Sequence, residues 1–399
     1  RCISIMIYLD NAATTKPSRA ALDGMRAAEE FFANPSSTHF AGLSAAKFLA
    51  GCREQVAHAM GLRRLENRMG ADRVILTASG TEANNLSLLG AAYAKKRDPN
   101  RPGTILLAAG EHPSMENPAL RLESEGYDLV RIPTTGGVLD LDALTDALQN
   151  PPSPVLYFGC MRVNNETGAV YDVPAAAKLV RKYAPGAVIH CDDVQGFGKI
   201  KDSPDRLGVD TLSVSAHKIH GTRGAGALYI RGELDRQKKL VPVMPGGGQE
   251  FGYRSGTENL FAIAAFAAAA TEAIRDFSAH RETESALRAR LLAHLSVIDG
   301  VETHIPPAHT EGIVHLSLPG IRSEIMLNYL SGREICVSAG SACSAHGRHA
   351  SAALTAYGLD ARAMDTAIRV SLDYTNTAEE IDAFADALAD GVRTLQRLR

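Results

Sequence analysis

The stretch TLSVSAHKIHGTRGAGALYI (211–230) sets one lysine between two buried strands. It opens on a nearly continuous apolar run, TLSVSA (211–216), and closes on another, GALYI (226–230). A polar, Gly-rich loop carrying Lys218 lies between them. Apolar runs without alternation belong to strands covered on both faces. Four more lie upstream: VILTA (74–78), TILLAA (104–109), VLYFGC (155–160) and AVIHC (187–191). Helical stretches separate several of them, such as ANNLSLLGAAYAKK (83–96) and VPAAAKLVRKYA (173–184). This alternation predicts an α/β fold around a mostly parallel sheet. From about residue 263 the texture changes to a long Ala-rich helical stretch, then IVHLSLPG (313–320), REICVSAGSACSAHG (333–347) and a helical C-terminus. The expected organisation is a large α/β domain over 16–262. A smaller α+β domain over 263–399 would be joined by residues 1–15.

Composition excludes several classes. With 399 residues, 45% hydrophobic and 22% charged, the chain is neither disordered nor fibrous. Its length suffices for a large core without metal or disulfide staples. A net charge of −3 carries no basic excess, so no nucleic-acid or membrane partner is expected. The six cysteines (Cys2, Cys52, Cys160, Cys191, Cys336, Cys343) form no CxxC pair and no zinc spacing, and no metal site is expected. Scattered cysteines suit a reducing, cytoplasmic setting. RCISIMIYLD (1–10) lacks the h-region of a signal peptide. The longest apolar stretch, FAIAAFAAAA (261–270), is far short of the roughly 20 residues a spanning helix needs.

The polar residues after each strand carry the chemistry. In chain order these clusters are SGTEANN, GEHPSM, NNETG, DDVQG and HKIHGTRGAG. In open α/β sheets ligands bind beyond the carboxyl ends of the strands, so five such clusters describe one site. Ser79-Gly80-Thr81 precedes a helix predicted from about Glu82, where free N–H groups would seat a phosphate; the alternative is a simple N-cap. No GxGxxG follows a strand and no GxxxxGK[ST] occurs, which argues against dinucleotide and Walker-type sites. Lys218, flanked by Ser215, His217 and His220, reads as a partly desolvated amine suited to covalent chemistry with a carbonyl. Asp192 could cap a helix or pair with a protonated pyridine nitrogen. Phosphate seat, amine and carboxylate together describe pyridoxal phosphate binding. His112 could then stack on the ring and move protons; alone it would read as structural. Cys343 sits among small residues, with His346 and Arg348 nearby to favour a thiolate. A metal site from Cys343, His346 and His349 lacks a fourth ligand.

These residues fall into a known pattern. The chain resembles the cysteine desulfurases of iron–sulfur cluster assembly, within the class V aminotransferases. The matching segments are YLDNAATT (8–15), NPSSTH (34–39), TASGTEANN (77–85), GEHPSM (110–115), VNNETG (163–168), HCDDVQG (190–196), SAHKIHG (215–221), PGGGQEFGYRSGTEN (245–259), SAGSACS (338–344) and IRVSL (368–372). The resemblance implies an aspartate-aminotransferase-like fold, pyridoxal 5'-phosphate, conversion of L-cysteine to L-alanine, a homodimer, and a sulfur-acceptor protein such as an iron–sulfur scaffold. It also implies roles. Lys218 would hold the cofactor covalently, His112 would stack on the ring and act in proton transfer, and Asp192 would pair with the pyridine nitrogen. Asn165 and Gln195 would lie near the phenolic oxygen. Gly80, Thr81, Ser215 and His217 would hold the phosphate, and Thr257 would reach the partner subunit's phosphate. Arg369, with Asn165 beside it, would bind the substrate, its guanidinium clamping the carboxylate. Cys343 would take the sulfur as a persulfide.

Two segments depart from the pattern. The loop after Cys343, SAHGRHASAALTAY, is rich in His and Arg, and Thr222-Arg223 stands where Pro-Lys is usual. The 26 residues from Cys343 to Arg369 suit the long-loop branch, in which the cysteine swings to an acceptor. The alternatives are a selenocysteine lyase or other class V lyase, and a silent scaffold protein. The set Lys218, Asp192, His112 and Cys343 argues against the scaffold.

Overall fold

A computed structural model describes residues 6–63, 65, 70–94, 102–339 and 351–396. Three sheets form among them. The N-terminal strand β1 (Ile7–Tyr8) is short and pairs far along the chain. The large sheet holds β2 (Arg73–Thr77), β3 (Thr104–Ala108), β4 (Asp128–Ile132), β5 (Val155–Met161), β6 (Val188–Asp192), β7 (Thr211–Ser215) and β8 (Gly226–Ile230). Their order is β2-β8-β7-β6-β5-β3-β4. The pairs β4–β3, β3–β5, β5–β6 and β6–β7 are parallel, whereas β8 runs antiparallel to both neighbours. The mostly parallel sheet expected from the sequence is therefore present, with one strand reversed.

Burial explains the apolar runs. All five residues of β3, β6, β7 and β8 are buried. Along β3, Ile105 and Leu107 face one core, with Leu88, Met115 and Leu122 of the helices Gly80–Ala94 and Pro113–Ser124. Leu106 and Ala108 face the other, with Val56, Leu144, Val180 and Phe266. Successive side chains of a strand point to opposite faces, so helices on both sides require apolar residues at every position. The seventh strand, β4, is half-exposed at the sheet edge and carries Asp128 and Arg131.

The second core is separate. There, β9 (Glu302–His304), β10 (Ile313–Ser317) and β12 (Ala367–Ser371) form an antiparallel sheet in the order β12-β10-β9. Strand β1 pairs in parallel with β11 (Ile335–Cys336). Leu9, Leu287, Leu291, Leu316, Ile368 and Phe384 pack together. The expected boundary at 262/263 falls inside one helix, Leu260–Arg275, whose Ala-rich buried face belongs to the large core. The core changes only with the next helix, Phe277–Leu295, which packs on Ala378–Gln396. Leu9 joins the second core. Among the described residues no helix is long and apolar enough to cross a membrane.

Candidate active site

A cavity of about 590 Å³ opens beyond the carboxyl ends of β3, β5, β6 and β7. The N-terminal segment closes it with Ala12 and Ala13, and the later part of the chain with Ser351–Ala353 and Arg369. It brings together Gly80, Thr81, His112, Asn165, Asp192, Gln195, Ser215, His217, Lys218 and Arg369. Thr257 is exposed and does not line it. Cys343 lies outside the described residues, as do His346, Arg348 and His349.

One end of the cavity is suited to an anion. The helix Gly80–Ala94 starts two residues earlier than its composition suggests. Ser79 caps it, its Oγ accepting from the Glu82 N–H at 3.1 Å. Ser79 is the cap, and Gly80 and Thr81 present the helix start to the cavity. Two glycines permit this. A Cβ on Gly80 would lie 2.7 Å from Val194 Cγ2, and one on Gly226 would lie 2.6 Å from the Ser79 backbone. Arg254, from the Gly-rich segment, braces the same turn by donating to Glu82 at 2.7 Å. The Ser215 hydroxyl is buried without a partner.

Lys218 follows β7 in a short 3-10 turn. Its Nζ donates to the backbone carbonyls of Ala12 and Ala13, the latter at 2.8 Å. Burial, then the charges of Lys199 and Arg369, lower its pKa to about 7. Its acceptors are neutral carbonyls, which leave the amine free to lose its proton. His217 is also held neutral, its pKa lowered to about 4 by burial and then by Lys218. On the far side His220, at φ +64°, pairs with Asp373 at 3.1 Å and ties the Lys218 loop to the segment after β12.

The Asp192 carboxylate ends β6 and accepts from Asn84 Nδ2 at 2.7 Å and from the Val194 N–H at 3.0 Å. His112 caps the helix Pro113–Ser124; its Nδ1 accepts from the Ser114 N–H at 3.1 Å and contacts Ser114 Oγ at 2.8 Å. Burial lowers its pKa most, with Lys218 adding and Asp192 opposing. Gln195 Nε2 donates to the Ala12 carbonyl at 2.8 Å, leaving Oε1 buried and unpartnered. Arg369, 2% exposed, donates to the Asn165 carbonyl and to Asp10 Oδ1, each at 2.8 Å, and its Nε has no partner. Asp10, Asn84, Glu111 and Ser114 escape a reading of the sequence, although each lies inside a motif segment.

Residues 7–384 match the family described as Aminotransferase class-V. The chain belongs to that family. It is 34% identical over 387 residues, 96% of each chain, to a NifS/IcsS protein homolog of Lactobacillus delbrueckii subsp. bulgaricus. It is 33% identical to a cysteine desulfurase of Trichormus azollae, over 98% of this chain and 94% of the relative. Among solved structures, a NifS-like protein from Rickettsia africae ESF-5 superposes with a TM-score of 0.85 at 29% identity, over 97% of this chain and 99% of the other. Family members work with pyridoxal phosphate, and the cavity here holds an amine, a carboxylate and the start of a helix. Elsewhere, Cys52, Cys160 and Cys191 are buried free thiols, and burial raises the pKa of each. Cys336 is only partly buried; burial, then Asp10, raises its pKa. No group of three metal-ligating side chains occurs among the described residues.

Proposed function

We propose that the protein is a pyridoxal-phosphate-dependent cysteine desulfurase. It converts L-cysteine to L-alanine and passes the sulfur to Cys343, from which an acceptor protein takes it for iron–sulfur cluster assembly or thiolation. The observation that carries this reading is the Lys218 amine in one cavity with Asp192, His112 and Arg369, in a chain whose relatives bear that name.

The residues fit the cofactor. Ser215 Oγ and Gln195 Oε1 are buried polar atoms without a protein partner, as expected of groups awaiting a polar ligand. Gly80 lets the helix start pack against Val194, where a Cβ would come within 2.7 Å of Cγ2. Gly80, Thr81, Ser215 and His217 would hold the phosphate, Asp192 the pyridine nitrogen, Asn165 and Gln195 the phenolic side, and Lys218 the aldehyde carbon. When bound, the cofactor supplies the sink for electrons released at the substrate's α-carbon.

The chain's own groups do the rest. Arg369 turns its buried guanidinium toward the substrate carboxylate, a geometry suited to two parallel hydrogen bonds. Lys218, poised near neutrality, takes and returns a proton at the α-carbon. The Cys343 thiolate attacks the substrate sulfur; an S–S bond forms and the C–S bond breaks. The electron pair stays with carbon, which takes up a proton and leaves as alanine. The exposed side chains of Phe32, Phe40, Leu43, Met244 and Phe251 support a homodimer, in which Thr257 reaches the partner's phosphate. Free thiols at Cys52, Cys160 and Cys191 suit the cytoplasm.

The test is to incubate the cofactor-loaded protein with L-cysteine and a thiol reductant. Alanine and sulfide should form in equal amounts; a protein that releases neither is not a desulfurase.

A further inference from the structure

A buried hydrogen-bond chain runs from the core to the cavity, and its direction is fixed. The Asp192 carboxylate only accepts, so the side of Asn84 that faces it at 2.7 Å is the amide nitrogen. Asn84 Nδ2 therefore also donates to Ser114 Oγ, at 2.8 Å. Asn84 Oδ1 accepts from Ser213 Oγ and from His190 Nε2, the latter at 3.0 Å. The His190 hydrogen is thus on Nε2, and its Nδ1 accepts from Thr211 Oγ1 at 2.9 Å. Burial lowers the His190 pKa to about 3, which matches the neutral ring this requires. Thr211 then accepts from Ser87 at 2.8 Å, and Ser87 from Tyr157 at 2.9 Å. Each hydroxyl has one hydrogen to give, and every one points toward the cavity.

The last link decides the state of His112. Ser114 Oγ has received a hydrogen from Asn84 and gives its own to His112 Nδ1 at 2.8 Å. The Ser114 N–H points at the same nitrogen from 3.1 Å. With two donors aimed at it, Nδ1 is an acceptor. We infer that Asn84 and Ser114 are positioning residues that hold His112 as a neutral imidazole with its single hydrogen on Nε2. The inference rests on the desulfurase reading for its consequence. His112 gives the site a ring face and a fixed hydrogen-bond donor, and proton transfer at the substrate falls to Lys218. This departs from the expectation that His112 moves protons. A neutral ring already protonated on Nε2 has no basic nitrogen left on the cavity side. A relay through Nδ1 stops at Asn84, because an amide does not surrender its proton. The titratable groups facing His112 are Asp192, Lys218 and His217; only Asp192 favours a charged ring, and burial outweighs it.

The test uses the cofactor-loaded protein labelled with ¹⁵N-histidine, with His112 assigned by comparison with His112→Gln. Proton–nitrogen correlation spectra should show His112 neutral with its hydrogen on Nε2 between about pH 6 and 8. Ser114→Ala removes the hydroxyl donor but keeps the N–H. It should shift the His112 midpoint upward by about one pH unit, a tenfold change in proton affinity. A hydrogen on Nδ1, or a charged ring at neutral pH, would overturn the inference. So would an unchanged midpoint in a folded Ser114→Ala. If that variant does not fold, the parent spectrum decides alone. The spectrum does not depend on turnover, so a correct tautomer in a protein that makes no alanine would sink the functional reading and not this one.

Discussion

Replacing Lys199 with methionine should make Lys218 a poorer nucleophile at neutral pH. The two lysines line one small cavity behind the active site, beside Glu284 and Asp373. Burial is the largest cause of the fall in the Lys218 pKa to about 7, and the charge of Lys199 is the next. At that pKa about half of the amine is neutral at pH 7, against roughly one part in 3,000 for an ordinary lysine, an advantage of about a thousandfold. Removing a like charge favours the protonated form, so the Lys199→Met midpoint must rise. A rise of about one unit, usual for charges packed together, would cut the neutral fraction at pH 7 about fivefold. The assay is covalent capture of pyridoxal phosphate by the cofactor-free protein, fixed with borohydride and read by mass spectrometry of the Lys218 peptide across pH. The parent midpoint should lie near pH 7 and that of Lys199→Met above it. A parent midpoint near that of free lysine, or a downward shift in Lys199→Met, would refute the reasoning.

The same geometry sets three other outcomes. Gly80→Ala puts a Cβ 2.7 Å from Val194 Cγ2 and must displace the anion seat, so cofactor release should quicken about tenfold or more; unchanged retention would remove the seat from Gly80. Arg369→Lys keeps the charge and loses the two-pronged clamp, so KM for L-cysteine should rise about tenfold with a smaller change in kcat; a fall in kcat alone would place Arg369 elsewhere in the reaction. Glu250 is buried at φ +50°, pairs with Arg53 and accepts from the Leu76 N–H at 2.7 Å. Glu250→Gln strands the Arg53 charge and should cost about 3–5 kcal/mol in urea unfolding; a loss below about 1 kcal/mol would mean that water reaches Arg53.

Much of this architecture is legible because buried strands leave a one-dimensional signature. Six of the seven strands of the large sheet appear as unbroken apolar runs, and the polar clusters beyond them mark the cavity. Strand β4 escapes because it lies at the edge, where water reaches Asp128 and Arg131 and the run is broken. The reversal of β8 is invisible in sequence, since GALYI is equally apolar read either way. The side on which the Ala-rich helix packs is hidden for a similar reason: its sequence suits either core, and only packing assigns Leu260–Arg275 to the first. Asn84 and Ser114 are hidden differently. Each sits near the start of a helix, where polar residues ordinarily cap or face water. Their function lies in partners that the fold brings from distant positions: Asp192 and His190 for Asn84, and Asn84 itself for Ser114.

The central claim is that sulfur leaves L-cysteine at the Lys218 site and passes through Cys343. The most direct measurement is one turnover with ³⁵S-labelled L-cysteine and no reductant, followed by non-reducing peptide mapping and quantitation of alanine. Label should appear on the Cys343 peptide in an amount equal to the alanine formed, and Lys218→Ala should give neither. Label on Cys336 instead, or alanine formed with no labelled protein, would contradict the account.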